Sequence, residues 1–153
     1  MNARDADAVV RDFIERYTPE VAAATRACRA KLQALFPRGC ELVYDNYNAL
    51  AIGYAPGDKA SAVVVSIAAY PRWVTLFFLH GVGLPDPDGL LQGSGSRVRS
   101  IRLRTPADLD LAPVRQLIAL ARQPHEKAFA QAPSLRTIVK SVSARQRPRR
   151  PAD

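Results

Sequence analysis

Gly93-Ser94-Gly95-Ser96 runs directly into a strand carrying Arg97 and Arg99. Glycine-rich backbone offers unhindered amide groups, and guanidinium forks match planar oxyanions, so the two side by side form a candidate cradle for a phosphate, sulfate or carboxylate. It is not a nucleotide-type phosphate loop, because no Gly-Lys-Ser/Thr follows and the next segment reads as a strand rather than a helix. The same four residues also suit an ordinary turn that needs glycine backbone angles, which is the commoner use of such a sequence.

Other reactive side chains are scattered. His80 and His125 stand far apart, no Ser or Cys sits in a nucleophile elbow, and no two carboxylates pair on one element, so a hydrolase reading lacks its parts. Cys28 and Cys40 form no CxxC pair and have no histidine at metal-ligand spacing, and they read as small apolar core residues. Asp86 and Asp88, flanked by Pro87 and Gly89, suit a cap and a turn. Tyr44, Tyr47, Tyr54, Tyr70 and Trp73 fall near expected strand ends, where they could line a pocket mouth or serve as core and rim.

These groups need a scaffold, and the hydrophobic spacing supplies one. Val9, Val10, Phe13, Ile14 and Tyr17 form one stripe of a helix from about Asp5 to Tyr17. Thr18 then reads as an N-cap with Pro19 at the first helical position, and Val21, Thr25, Cys28, Leu32 and Leu35 continue a helical stripe until Pro37-Arg38-Gly39. The period changes to two at Glu41. Four strands are expected at Glu41–Asp45, Ala49–Tyr54, Ser61–Ala69 and Trp73–His80, with short turns that favour an antiparallel meander. Gly81 to Gly95 is a long loop in which Asp86-Pro87 could cap one helical turn ended by Gly93. Arg97–Arg104 makes a fifth strand. Leu111, Val114, Leu117, Ile118 and Ala121 mark a helix packed on the sheet, and Arg136–Ser143 is a sixth strand.

The second and third strands are bulky on one side (Leu50, Ile52, Tyr54; Val63, Val65, Ile67) and mostly small on the other (Ala49, Ala51, Gly53; Val64, Ser66, Ala68). The bulky set should meet the helices. The small set leaves an apolar face for a partner or ligand groove, unless the final strand or a second copy in a homodimer covers it.

The chain of 153 residues is therefore expected to form one α+β domain over residues 1–143: a single antiparallel sheet of five to six strands, with N-terminal and C-terminal helices on one face. Residues 144–153 form a basic tail that has nothing to bury and is expected to be flexible. The net charge of +8 comes from 22 basic and 14 acidic residues. Arg145, Arg147, Arg149 and Arg150 against Asp153 contribute 4 − 1 = +3 of it, and Arg97, Arg99, Arg102 and Arg104 are a second concentration. This balance points to a small anionic ligand or an acidic protein as partner, with nonspecific nucleic-acid binding through the four tail arginines as a further option. The charged amino terminus is unlike a secretion signal and the apolar run Ala60–Tyr70 is too short to span a bilayer, so the expectation is a cytoplasmic protein without membrane contact. Four lysines against eighteen arginines hint at a GC-rich bacterial genome.

The run Ala60–Leu79, followed by Leu84-Pro-Asp-Pro, Leu90-Leu-Gln-Gly-Ser-Gly95 and Arg99-Ser-Ile-Arg-Leu103, resembles the YdhG-like family of domains of unknown function. The ending Ile138-Val-Lys-Ser-Val-Ser-Ala-Arg-Gln-Arg-Pro-Arg-Arg150 is similar to endings in that family, and the likeness spans roughly residues 20 to 150. It implies a frataxin-like α+β sandwich and, as an alternative function, an intracellular iron chaperone, with iron as its only implied cofactor. Two departures weaken that role. Ser96, followed by Arg97, stands where family members carry a lysine after Gly-x-Gly. Iron also needs converging carboxylates, whereas Asp5, Asp7, Asp12, Glu15 and Glu20 are interrupted by Arg4, Arg11 and Arg16, a net of 3 − 5 = −2. The leading expectation is a non-enzymatic binding domain built on Gly93, Ser94, Gly95, Ser96, Arg97 and Arg99.

Overall fold

Two helices open the chain, each started by a side-chain cap. In a computed structural model describing residues 2–152, α1 (Ala3–Glu15) begins where the Asn2 carboxamide accepts from Asp5 N at 2.9 Å. α2 (Pro19–Leu35) begins where the Thr18 hydroxyl accepts from Val21 N, with Pro19 at the position where a missing N–H costs nothing. Val10, Phe13, Ile14, Val21, Cys28 and Leu32 are buried, as the helical spacing requires. Met1 and Asp153, the tail's single acid, lie outside the described residues.

Six strands follow: β1 (Cys40–Asp45), β2 (Leu50–Ala55), β3 (Val65–Ala69), β4 (Val74–Phe78), β5 (Arg99–Leu103) and β6 (Arg136–Val142). They lie in the order β5-β4-β3-β2-β1-β6. The first five form the antiparallel meander. β6 runs parallel to β1, so the sheet is mixed rather than wholly antiparallel. The cause is the connection: α3 (Ala112–Arg122) and α4 (Glu126–Gln131) carry the chain from the β5 edge to the β1 edge and deliver it beside the start of β1. There Gly39 N donates to Pro133 O and Arg136 N to Gly39 O, at 2.9 and 3.0 Å. Gly39 has φ +103°, and a Cβ on it would stand 2.3 Å from Ala55 O, so only glycine fits this junction.

The third expected strand is shorter than its β-branched run. Ala60–Ala62 form a 3-10 turn, Val63 leaves the bulky set to pack with Cys40, Leu42 and Ala55 on the far side of the sheet, and Val64, expected in the small set, joins the helix-side core instead, because strand alternation starts only at Val65. The other bulky residues meet the helices. Val43, Ile52, Ile67, Leu76 and Ile101 form one cross-strand row on that face. The opposite face carries the rows Tyr44-Ala51-Ala68-Thr75-Arg102 and Leu42-Gly53-Ser66-Phe77-Ser100, small in the middle and larger at the flanks. β6 extends the sheet beside β1 and does not cover this face. No helix among the described residues is long and apolar enough to cross a membrane.

Two carboxylates are buried on β1. Glu41 is fully buried and accepts from the Arg29 guanidinium at 2.9 and 3.1 Å, the Tyr54 hydroxyl at 2.7 Å, the Thr137 hydroxyl at 2.8 Å and the Gln33 amide at 3.2 Å. Burial, reinforced by the neighbouring Glu41 carboxylate, pushes the Tyr54 hydroxyl well above its usual pKa and keeps it a donor. This network ties α2, β1, β2 and β6 together. Four residues along the same strand face, Asp45 is 1% exposed and holds the tail: Arg149 Nη2 donates to it at 2.8 Å, Gln146 Nε2 at 2.9 Å and Arg16 Nη1 at 3.1 Å. The tail was expected to have nothing to bury. Instead Arg149 is 6% exposed, because a buried carboxylate requires a charged partner more than the free tail requires water.

Candidate functional site

The chain between β4 and β5 makes neither helix nor strand. Asp86 does act as a cap, its carboxylate accepting from Leu90 N and Leu91 N at 2.9 and 2.8 Å, but the turn it closes does not become the expected helical turn. Gly93 has φ +126°, with Val98 O 3.3 Å from where a Cβ would sit, so this glycine is required by the turn. Ser94, Gly95, Ser96 and Arg97 are exposed. Arg99 Nη1 donates to Gly95 O at 2.6 Å and to Val98 O at 2.8 Å, which makes the guanidinium a brace for its own loop. Both acceptors are carbonyl oxygens of the same loop.

Strand geometry separates Arg99 from the next arginines. Alternation places Arg99 on one side of β5 and Arg102 on the other. Arg102 reaches Trp73, its guanidinium carbon 3.9 Å from the centre of the indole ring. Trp73 owes its place to the hairpin Tyr70-Pro71-Arg72-Trp73, closed by Tyr70 N donating to Trp73 O at 2.9 Å, with Pro71 pre-setting the corner. The Tyr70 and Trp73 rings stand 5.7 Å apart at 32°.

Behind Trp73 opens a cleft of about 490 Å³. One wall is the start of α2, with Glu20, Val21, Ala24 and Cys28; the other is Trp73, Val74 and Leu103, closed by Thr105 and Pro106. Arg72, Arg102 and Arg104 also line it. Arg104 is 84% exposed and faces Asp108 at 3.6 Å. Arg72 and Arg102 have no carboxylate within ion-pairing distance among the described residues. The positive end of the α2 dipole adds to the same field. Burial pushes the Cys28 thiol up to about 11, so it is protonated at neutral pH and forms apolar wall rather than a nucleophile.

The cleft thus unites Arg102 and Arg104, Trp73, Cys28 and Arg72, which sits in the short turn between the expected third and fourth strands. The signal that could have found it is Pro71-Arg72-Trp73 between two strands, since a hairpin tip offers an arginine and a tryptophan together. His80 Nε2 lies 3.4 Å from Ser61 O at an exposed site, and neither histidine joins this cleft. The acids of α1 are drawn toward arginines: Asp7 pairs with Arg11 and Arg29, and Glu15 with Arg26. Among the described residues, no three His, Cys, Asp or Glu side chains converge as a metal site would need.

No family model, no curated protein and no solved structure matches this chain. The geometry of the cleft therefore bears the functional argument.

Proposed function

We propose that this chain is a non-enzymatic binding domain for a small anionic ligand held in the cleft between α2 and the β4–β5 end of the sheet. One observation carries the reading: Arg72 and Arg102, neither paired with a carboxylate among the described residues, line a cavity of about 490 Å³ that also contains the stacked Arg102–Trp73 pair. The volume falls in the range of small-molecule sites, and an apolar wall with a few convergent polar groups is their usual make-up. Guanidinium groups bind the acid of such a ligand, and the indole and Cys28 wall accept a planar or apolar body. This cleft lies at the Leu103 end of β5, away from the Gly93–Arg99 loop, where Arg99 is engaged with its own loop.

Trp73 is the chain's only tryptophan, so the site carries its own probe. Titration with a nucleoside monophosphate, an aromatic body bearing an acid, should quench the Trp73 emission saturably and raise the melting temperature. Arg72→Ala, at an exposed hairpin tip, should weaken this binding by about tenfold, the order expected for one charge-assisted hydrogen bond. Absence of both quenching and thermal shift would remove the reading.

A further inference from the structure

The cleft does not end at Trp73. A second depression of about 650 Å³ shares Arg72 and Trp73 with it and continues along the docked tail past Arg147 and Arg150. A third, of about 580 Å³, shares Asn48 and Tyr70 with the second and opens onto the small-residue face of the sheet. The three form one continuous path across the end of the molecule.

Resting on the small-anion reading of the first cleft, we infer that this path binds a single strand of nucleic acid, one nucleotide occupying the Trp73 cleft and its neighbours continuing beside the tail. Three observations support it. Along the path, Arg72, Arg102, Arg147 and Arg150 have no carboxylate within ion-pairing distance among the described residues, a repeated positive charge that suits a repeating phosphate. Aromatic rings alternate with them: Trp73 beneath Arg102, Tyr70 beside Trp73, and Tyr47, 45% exposed, beneath Arg147 at 5.6 Å. Aromatic faces and guanidinium planes are the surfaces on which unpaired bases stack, and in a duplex those base faces are already covered. Finally, the tail is held in place. Arg147 N donates to Tyr47 O at 2.8 Å and Arg150 Nε to Arg16 O at 3.0 Å, while Arg149 is bonded to Asp45. Of the four tail arginines, Arg149 is therefore an anchor and not a ligand contact.

The test uses the intact chain with fluorescein-labelled dT12, read by anisotropy and by Trp73 emission over a range of salt. The dodecamer should bind at least tenfold tighter than thymidine monophosphate, quench Trp73, and weaken with salt by about 0.7 logarithmic units per phosphate neutralised. Arg147→Ala with Arg150→Ala should flatten that salt slope by about 1.4 and leave thymidine monophosphate binding in the first cleft unchanged. Arg97→Ala, exposed and off the path, should leave the slope as it is. A dodecamer no tighter than the monophosphate would overturn the strand path and leave the small-anion site standing. Equal binding of a twelve-base-pair duplex or of polyglutamate would overturn the single-strand assignment, and a slope that responds to Arg97→Ala as much as to the tail double variant would place binding elsewhere. If neither the dodecamer nor the monophosphate quenches Trp73, both the inference and the reading beneath it fall.

Discussion

Arg29 and Arg72 carry the same side chain to opposite ends. Arg29 is buried against Glu41 and Asp7, its charge answered inside the fold, whereas Arg72 stands at a hairpin tip with no carboxylate within ion-pairing distance among the described residues. Arg149 belongs with the first, Arg102 with the second. A count of positive residues therefore overstates the charge a partner can feel. A guanidinium taken out of water needs its counter-ion at hand, and the pair presents almost no field to the outside. The residues left over, not the total of 22, define where an anion would go.

The sharpest way to break this contrast is Arg29→Ala. It leaves Glu41 buried with three neutral donors and no cation, and should cost about 3–5 kcal/mol of unfolding free energy in urea denaturation. Arg149→Ala should cost less, about 1–3 kcal/mol, because Arg16 and Gln146 still reach Asp45; protease nicking after the last turn of the sheet should rise in parallel. Cys28 offers a third probe at the floor of the cleft. Its pKa is raised from 9.0 to about 11 by burial, so the folded state holds the thiol proton more tightly than the unfolded state. That contribution is fully present below about pH 9 and is lost as the pH climbs toward 11. Melting temperatures should therefore fall more steeply over that interval in the native protein than in Cys28→Ala, and a thiol reagent at pH 8 should label Cys28 only on unfolding. Arg72→Ala should change stability by no more than about 0.5 kcal/mol while weakening anion binding, the reverse of the Arg29 result. If Arg72→Ala proves as destabilising as Arg149→Ala, the distinction between structural and available arginines fails.

Much of the scaffold was legible because it is local. Thr18-Pro19 states a helix start by hydrogen-bond chemistry alone, and the switch to period two at Glu41 states a sheet half covered by helices. The two-sided pattern of β2 and β3 survives in the structure, apart from Val63 and Val64, which trade sides just before β3 begins; within the strands pleating fixes which residues share a face. The candidate site was less legible. The glycine-arginine stretch had the right residue types, yet a strand's alternation sends Arg99 and Arg102 to different faces and a loop's own carbonyls engage the first.

The first three helices, the strands, the α+β class and the abundance of arginine follow from spacing and composition over a few turns, whereas the short α4 was not foreseen. Contacts between distant segments settle that β6 lies parallel to β1, that Glu41 and Asp45 go inside, that the basic tail docks through Arg149, and that Arg72, Arg102 and Trp73 meet at one cleft. The physical reason is distance along the chain. Arg149 lies 104 residues from Asp45, and whether a charge is answered or left over depends on what the fold brings beside it.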